Sequence, residues 1–199
     1  MKLICSDLEG VFVPEIWVNV AEKTGIEELK LTTREISDYD VLMTKRLSVL
    51  DKHGLKLKDI TDIISTIELL EGALEALNWI RERAQIIILS DTFEEFARPL
   101  MKKLNYPALL CHSLLIDSEG RIADYKLRQA NQKKHAIKAF KSLNYTTIAF
   151  GDSYNDTAMI KEADYGFFFR PPDNVIREFP EVEVTHTYDE LREKLKSLL

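Results

Sequence analysis

The chain of 199 residues carries 27 basic and 33 acidic side chains, a net charge of −6 with neutral histidines, and 45% of its residues are hydrophobic. This balance is typical of a folded globular protein and argues against intrinsic disorder. The acidic net charge argues against a general nucleic-acid-binding surface. Because no apolar run approaches the roughly 18 residues that a membrane-spanning helix needs, we expect no membrane segment.

The N-terminal residues and the cysteines bear on the compartment. The apolar run before Asp7 is too short for the hydrophobic region of a signal peptide. Cys5 and Cys111 both lie in apolar segments without the paired spacing of metal ligands, as expected of buried thiols in a reducing environment. These features predict a cytoplasmic protein.

The first predicted strand, residues 3–6, ends at two acids, Asp7 and Glu9, followed by Gly10. Acids with this spacing would point to opposite faces of a continuing strand, so the chain must turn before both can reach one ligand. Gly10 permits such a turn. Ligands of open α/β sheets bind outside the carboxyl ends of the strands, so this stretch predicts a functional site. The alternative is that an acid merely caps the next segment.

Residues 14–71 are predicted to form helices. Pro14 and Glu15 precede an apolar stripe with helical spacing that ends at Gly25, and further helical stripes follow from Ser37 to His53 and after residue 57. Glu15 is therefore placed in a first helical turn, where an acid also interacts favourably with the helix dipole.

Arg46 lies within the apolar stripe of the second of these helices. Such a charge can extend to water or pair with a neighbouring acid. A guanidinium on an inward face is also suited to recognising a carboxylate or phosphate. Both interpretations are open at this point.

Strands and helices alternate from Gly72 to the C-terminus, and Thr92 with Glu95 has the pattern of a capping box before a helix. Strands are predicted at residues 86–89, 108–111, 146–150, 165–169 and 182–185, with a hairpin from Leu114 to Tyr125. The alternation predicts an α/β fold with a doubly wound, mainly parallel sheet. Residues 1–13 and 72–199 would form this core, with residues 14–71 as an inserted helical cap.

Polar residues follow three of the predicted core strands. They are Asp7 with Glu9, Ser90 with Asp91, and Asp152 with Asp156. A parallel sheet brings these strand ends to one edge, where clustered carboxylates repel unless a cation neutralises them. Oxygen ligands of this kind suit Mg²⁺ together with a substrate phosphate. A serine hydroxyl, helix N-terminal amides and a lysine can bind the remaining phosphate oxygens.

Four segments resemble the motifs of the haloacid dehalogenase superfamily of phosphotransferases, and the fourth is the most specific. They are Asp7-Leu8-Glu9-Gly10-Val11, Ser90, Lys133 at a helix start, and Gly151-Asp152-Ser153-Tyr154-Asn155-Asp156. Within the superfamily, Glu15, residues 45–50 and the helical insert resemble phosphoserine phosphatases. Glu9 and residues 90–93 resemble the bifunctional branch that also transfers phosphate to homoserine.

The resemblance implies separate catalytic and metal-binding roles for the acids around the phosphate. Asp7 would be the nucleophile that becomes an aspartyl phosphate, and Glu9 would protonate the departing serine oxygen and later accept a proton from the acceptor. Mg²⁺ would be held by the Asp7 carboxylate, the Glu9 backbone carbonyl and Asp152. Asp156 would support the loop of the fourth motif without binding the cation itself.

The resemblance also implies how substrate is bound. Ser90 and Lys133 would contact the phosphoryl oxygens with Asn155 nearby. Asp91 would also be among the substrate-binding residues. Glu15 would face the substrate ammonium and Arg46 its carboxylate. Lys134 adjoins Lys133, and the sequence leaves open which of the two contacts phosphate.

Two positions depart from the usual pattern. Most relatives have aspartate where this chain has Glu9, and phosphoserine phosphatases usually have glycines where Asp91 and Thr92 follow Ser90. The resemblance as a whole implies a Mg²⁺-dependent phosphoserine phosphatase that also transfers phosphate to homoserine. The alternatives are a phosphatase of another small phosphate ester and a non-catalytic signalling domain phosphorylated on aspartate.

Overall fold

The computed structural model describes residues 1–32, 36 and 38–199. Within these residues a seven-stranded sheet has the order β4-β3-β2-β1-β5-β6-β7. Neighbouring strands are parallel except for the antiparallel pair β3 and β4. The strands are β1 Lys2–Ser6, β2 Gln85–Phe93, β3 Ala108–Ile116, β4 Ile122–Lys126, β5 Thr146–Gly151, β6 Tyr165–Phe169 and β7 Val184–Thr185. The predicted fold class is confirmed.

Helices cover the sheet and fill the insertion between β1 and β2. They are α1 Ile16–Thr24, α2 Tyr39–Lys52, α3 Leu57–Ser65, α4 Ala73–Arg81, α5 Glu94–Lys103, α6 Gln132–Ser142, α7 Thr157–Glu162, α8 Asp173–Glu178 and α9 Tyr188–Leu198, with 3₁₀ turns Glu27–Lys30 and Tyr154–Asp156. In the part of the chain that is described, every helix is too short or too polar to cross a bilayer.

The helices of the insertion follow the predicted pattern with small differences. α1 ends immediately before Gly25, but Glu15 lies one residue ahead of its first turn rather than within it. α2 begins after Asp38, whose Oδ1 accepts hydrogen bonds from the backbone N–H groups of Asp40 and Val41 at 2.9 and 3.1 Å. Ser37, where the sequence places the start of this helix, lies outside the described residues.

The capping box predicted for α5 is wrong. Thr92 still belongs to β2, and Phe93 is the residue that precedes the helix. The Glu95 carboxylate instead accepts a hydrogen bond from the backbone N–H of Leu114 at 3.0 Å. Glu95 therefore ties α5 to β3, because a neighbouring strand offers an amide that competes with the helix terminus.

A single apolar cluster, which we call the shared cluster, joins the insertion to the sheet. It includes Ile16 and Val20 of α1, Ile60 of α3 and Phe96 of α5, all almost completely buried. The ring of Trp17 packs edge-on against Phe96, with ring centroids 5.4 Å apart. The helical insertion thus rests on the same core as the helices that cover the sheet.

The β3–β4 hairpin also contacts the insertion, at the starts of α2 and α3. The backbone N–H of Leu57 donates to the carbonyl of Gly120 at 3.0 Å. The hydroxyl of Tyr125 donates to Asp40, and its ring lies against Tyr39 with centroids 6.0 Å apart. These contacts hold the N-terminal end of α2 over the carboxyl ends of the strands.

Candidate active site

The central strands of the sheet deliver the predicted acids to one place. β1 lies between β2 and β5, so Asp7, Ser90 and Asp152 emerge side by side at the carboxyl edge. They border a cavity of about 320 Å³ roofed by residues of the insertion. Its lining includes all predicted site residues except Lys133 and Asp156, namely Asp7, Glu9, Glu15, Arg46, Ser90, Asp91, Asp152 and Asn155.

Gly10 makes the turn that brings Asp7 and Glu9 to the same cavity. Its φ of 71° lies in the left-handed region, and a Cβ at this position would lie 2.2 Å from Oδ2 of Asp152. Any side chain would therefore collide with the carboxylate beside it. The Glu9 carboxylate also lines this cavity, and it accepts a hydrogen bond from the backbone N–H of Ile16 at 2.7 Å.

Lys133 lies beneath the cavity between three carboxylates. Its Nζ is 2.9 Å from Asp7 Oδ2, 2.8 Å from Asp156 Oδ1 and 3.5 Å from Asp91 Oδ2, and the residue is only 2% exposed. Burial alone would lower the pKa of Lys133, but the three acids raise it well above its usual value. The geometry thus favours Lys133 over Lys134, which is partly exposed.

Three acids of the site lie close together. One carboxylate oxygen each from Asp7, Asp152 and Asp156 lies within 4.8 Å of the others. Burial and the neighbouring charge of Asp156 raise the pKa of Asp7 and raise that of Asp152 to about 7. Burial and the charge of Glu15 raise the pKa of Glu9 to about 8.

This donor set fits a hard divalent cation. Carboxylate oxygens are the ligands such cations prefer, and a positive charge would relieve the repulsion that raises the pKa values of Asp7 and Asp152. The oxygens of Asp156 already accept hydrogen bonds from Lys133 at 2.8 Å and from the backbone N–H of Ser153 at 3.1 Å. These hydrogen bonds are what we expect if Asp156 supports the loop after β5 rather than binding the cation directly.

The Asp156 carboxylate reaches this position because Gly151 has no side chain. A Cβ on Gly151 would lie 2.2 Å from Cγ of Asp156. Together with the Ser153 contact, this close approach folds residues 151–156 into a tight loop after β5.

Arg46 roofs the cavity from α2 and is only 6% exposed. Its Nη2 donates to the carbonyl of Leu31 at 2.8 Å, and its guanidinium carbon lies 4.5 Å from the ring centroid of Trp17. Burial lowers the pKa of Arg46 to about 10, which leaves it cationic at neutral pH. Its Nε is buried and has no hydrogen-bond partner among the described residues. Glu15 is exposed at the cavity mouth.

Sequence reasoning missed several residues of the site. The Tyr39 hydroxyl donates to the Asp91 carbonyl at 3.1 Å, and Trp17 stacks on Arg46. Both lie at apolar positions of helices, where the sequence gives no sign of a polar contact. His112 and Gln132 approach the Asp91 carboxylate at 3.6 and 3.2 Å. For Gln132 the sequence did contain a signal, since it adjoins Lys133 at a helix start, whereas His112 lies in an apolar strand and offers none.

Comparison with known proteins assigns the family. Residues 1–164 match the haloacid dehalogenase-like hydrolase family. The chain belongs to the haloacid dehalogenase-like hydrolases. The resemblance seen in the sequence is confirmed, and a non-catalytic signalling domain is no longer the appropriate alternative for a member of this hydrolase family.

Two relatives in this family are similar over nearly the whole chain. A phosphoserine phosphatase of Pseudomonas syringae pv. tomato is 58% identical over 194 residues, which cover 98% of this chain and 82% of the relative. The phosphoserine phosphatase ThrH of Pseudomonas aeruginosa is 58% identical over 198 residues, covering 99% and 97%.

A solved structure of a substrate-bound phosphoserine phosphatase complex shares the fold. The two structures superpose with a TM-score of 0.78 at 22% identity, over 98% of this chain and 97% of the other. The fold is thus retained at low sequence identity.

Proposed function

We propose that this protein is a Mg²⁺-dependent phosphoserine phosphatase that works through an aspartyl phosphate on Asp7 and also transfers phosphate to homoserine. The observation that carries the proposal is one cavity lined both by Asp7, whose carboxylate contacts Lys133, and by the cationic Arg46 of the insertion. Such a cavity suits a molecule that has a phosphate at one end and a carboxylate at the other. The 58% identity to two phosphoserine phosphatases supports the choice of substrate.

In the first step an oxygen of the Asp7 carboxylate attacks phosphorus, and the bond from phosphorus to the serine oxygen breaks. The charge of Lys133, 2.9 Å from Asp7, attracts the phosphoryl oxygens. Glu9 gives its proton to the serine oxygen, because a serine alkoxide is a poor leaving group. The hydrogen bond from Ile16 to Glu9 holds the carboxyl group in place for this transfer.

In the second step Glu9 removes a proton from the acceptor, whose oxygen attacks phosphorus and releases Asp7. Mg²⁺ held by Asp7, the Glu9 carbonyl and Asp152 would supply positive charge to the phosphoryl oxygens in both steps. Splitting the reaction at an acyl phosphate lets serine depart before the acceptor is used.

The rest of the pocket selects the substrate. Arg46, which lines the cavity, receives the substrate carboxylate, and Glu15 at the mouth faces the ammonium group. Residues 14–71 act as a cap that carries both groups over the strand ends. Homoserine has the same ammonium and carboxylate, so it fits these contacts after serine leaves and presents its hydroxyl to the phosphate.

The test supplies phosphoserine and Mg²⁺, with and without homoserine, and follows phosphorus NMR. We expect free phosphate in the absence of homoserine and phosphohomoserine in its presence. If saturating homoserine yields no phosphohomoserine, the transfer activity is wrong and a plain phosphatase remains. If a panel of small phosphate esters is hydrolysed faster than phosphoserine, the substrate assignment is wrong.

A cytoplasmic location is part of the same proposal. Cys5 and Cys111 are both free, and burial raises the pKa of each thiol to about 12, so neither is activated for disulfide exchange.

A further inference from the structure

The Asp91 carboxylate is surrounded by donors from different elements. Nδ2 of Asn155, in the loop after β5, donates to its Oδ2 at 3.0 Å, and Nε2 of Gln132, at the start of α6, donates to Oδ1 at 3.2 Å. Nε2 of His112 on β3 lies 3.6 Å from Oδ1, and Nζ of Lys133 lies 3.5 Å from Oδ2. Asp91 therefore links two strands, a helix and the Asn155 loop.

Arg128 fixes the orientation of two of these donors. Its backbone N–H donates to Nδ1 of His112 at 3.1 Å, so the proton of a neutral imidazole lies on Nε2, facing Asp91. Its Nη2 donates to Oε1 of Gln132 at 2.7 Å, so the Gln132 amide must direct Nε2 toward Asp91 and the Ser90 carbonyl. Both residues are buried, with 5% of His112 and 1% of Gln132 exposed.

Burial alone would raise the pKa of Asp91, but Lys133, the nearby His112 and the hydrogen bonds from Asn155 and Gln132 hold it well below its usual range. Asp91 is therefore an anion beside the position of the substrate phosphate. An anion there competes with phosphate for Lys133 unless its approach to Nζ is limited. His112 and Gln132 lie beside Oδ1, whereas Lys133 and Asn155 lie beside Oδ2, so the first pair fixes the rotation of the carboxylate relative to Lys133.

We propose that His112 and Gln132 are positioning residues for phosphoryl transfer. They hold Asp91 so that it orients the amide of Asn155 and keeps its Oδ2 3.5 Å from Lys133, which limits how strongly Asp91 competes with the phosphate for that charge. This inference rests on the proposed function of Asp7 and Lys133. Donors oriented before the reaction need no reorganisation during it, so a loss of orientation lowers the rate even where no substrate contact is removed.

The first experiment compares Gln132→Ala with Gln129→Ala, a matched control three positions earlier in the same segment, where the side chain is exposed. We measure kcat and KM with phosphoserine and with p-nitrophenyl phosphate, inhibition by inorganic phosphate, and thermal unfolding. Gln132→Ala should lower kcat/KM by about tenfold with both substrates and weaken phosphate inhibition. Gln129→Ala should match the wild type.

Equal losses with the two substrates identify an effect on the phosphate side of the cavity. A loss confined to phosphoserine, or kinetics of Gln132→Ala that match the wild type, would overturn the proposal. If Gln132→Ala does not fold, His112→Asn removes the other donor and carries the same expectations.

A double-mutant cycle separates positioning through Asp91 from a general structural role. In an Asp91→Asn background, Gln132→Ala should lower kcat/KM by less than about twofold, because its effect passes through the Asp91 carboxylate. If the two losses multiply, Gln132 acts independently of Asp91 and the proposal is wrong.

Calorimetric binding of inorganic phosphate keeps this inference distinguishable from the proposed function. If the wild type hydrolyses no phosphate ester, the proposed function fails, but Gln132→Ala should still bind phosphate more weakly than Gln129→Ala. Equal phosphate affinity of these two variants would contradict the positioning role by itself.

Discussion

Replacing Gly10 with alanine tests whether the turn after β1 exists to let Asp7 and Asp152 meet. The substitution has two separate costs. An alanine forced to a φ of 71° loses about 1–2 kcal/mol, because left-handed backbone is unfavourable for L-residues. The new Cβ would also lie 2.2 Å from Oδ2 of Asp152, whereas ordinary contact begins at 3.4 Å, so the carboxylate must move by about 1.2 Å. A displacement of that size in a reacting site costs about 100-fold in rate.

Gly54 provides the matched control. Its φ is 66°, nearly the same, but nothing lies within 4 Å of a Cβ built there. Gly54→Ala should therefore share the backbone cost without the collision. For a chain of this size a loss of 1–2 kcal/mol lowers the melting temperature by about 2–8 °C in either variant.

The assay measures phosphoserine hydrolysis and thermal unfolding of the wild type and both variants. We expect both variants to melt below the wild type, with Gly10→Ala no more stable than Gly54→Ala because of the added collision. Gly10→Ala should be about 100-fold slower, and Gly54→Ala should be close to the wild type. If Gly10→Ala hydrolyses phosphoserine as fast as Gly54→Ala, the close approach of Asp152 does not matter for catalysis and the reasoning is refuted.

Further predictions address the roles assigned to Asp7, Glu9, Arg46 and the cation. Asp7→Asn should abolish turnover and hydroxylamine-sensitive phosphoenzyme in rapid-quench experiments, since an amide is not a competent nucleophile; normal turnover would contradict this. Glu9→Gln should accumulate more phosphoenzyme than the wild type, because the second step loses its base, and a lower level would refute that role. Arg46→Ala should lower kcat/KM for phosphoserine by about 10–100-fold, as expected for a lost charged hydrogen bond. Its effect on an aryl phosphate without a carboxylate should be far smaller, and equal losses would indicate a structural arginine. Chelation with EDTA should stop turnover and added Mg²⁺ should restore it; activity that survives chelation would refute the metal requirement.

The sequence predicted the sheet well because its central strands are short apolar runs that end abruptly in acids or glycine. Residues 86–89 could be recognised without knowing their partners, since a strand buried on both faces reads as a continuous hydrophobic run. Local patterns failed where a distant group competed for the same atoms. Glu95 matched a capping box, yet Leu114 on the neighbouring strand provides the amide that it accepts from.

The candidate active site could likewise be predicted only in part. Asp7 and Asp152 could be predicted because each directly follows a strand of one parallel sheet, and Ser90 because it follows the apolar run 86–89, although β2 continues to Phe93. The surroundings of Arg46 could not, because the contacts with Leu31 and Trp17 depend on how the insertion folds back on itself. His112 was hidden for a related reason: a polar residue within an apolar strand does not reveal which strand or loop it faces.

The shared cluster has a consequence for how the molecule unfolds. The insertion leaves the sheet after β1 and returns before β2, yet its helices α1 and α3 bury their apolar faces against α5. Separating the insertion would expose those faces on both pieces, so we expect the chain to unfold in a single cooperative transition. A substrate bound between Arg46 and Asp7 then stabilises every element of the protein at once. The melting temperature of the whole chain thereby reports whether the site is occupied, even for a ligand that is never turned over.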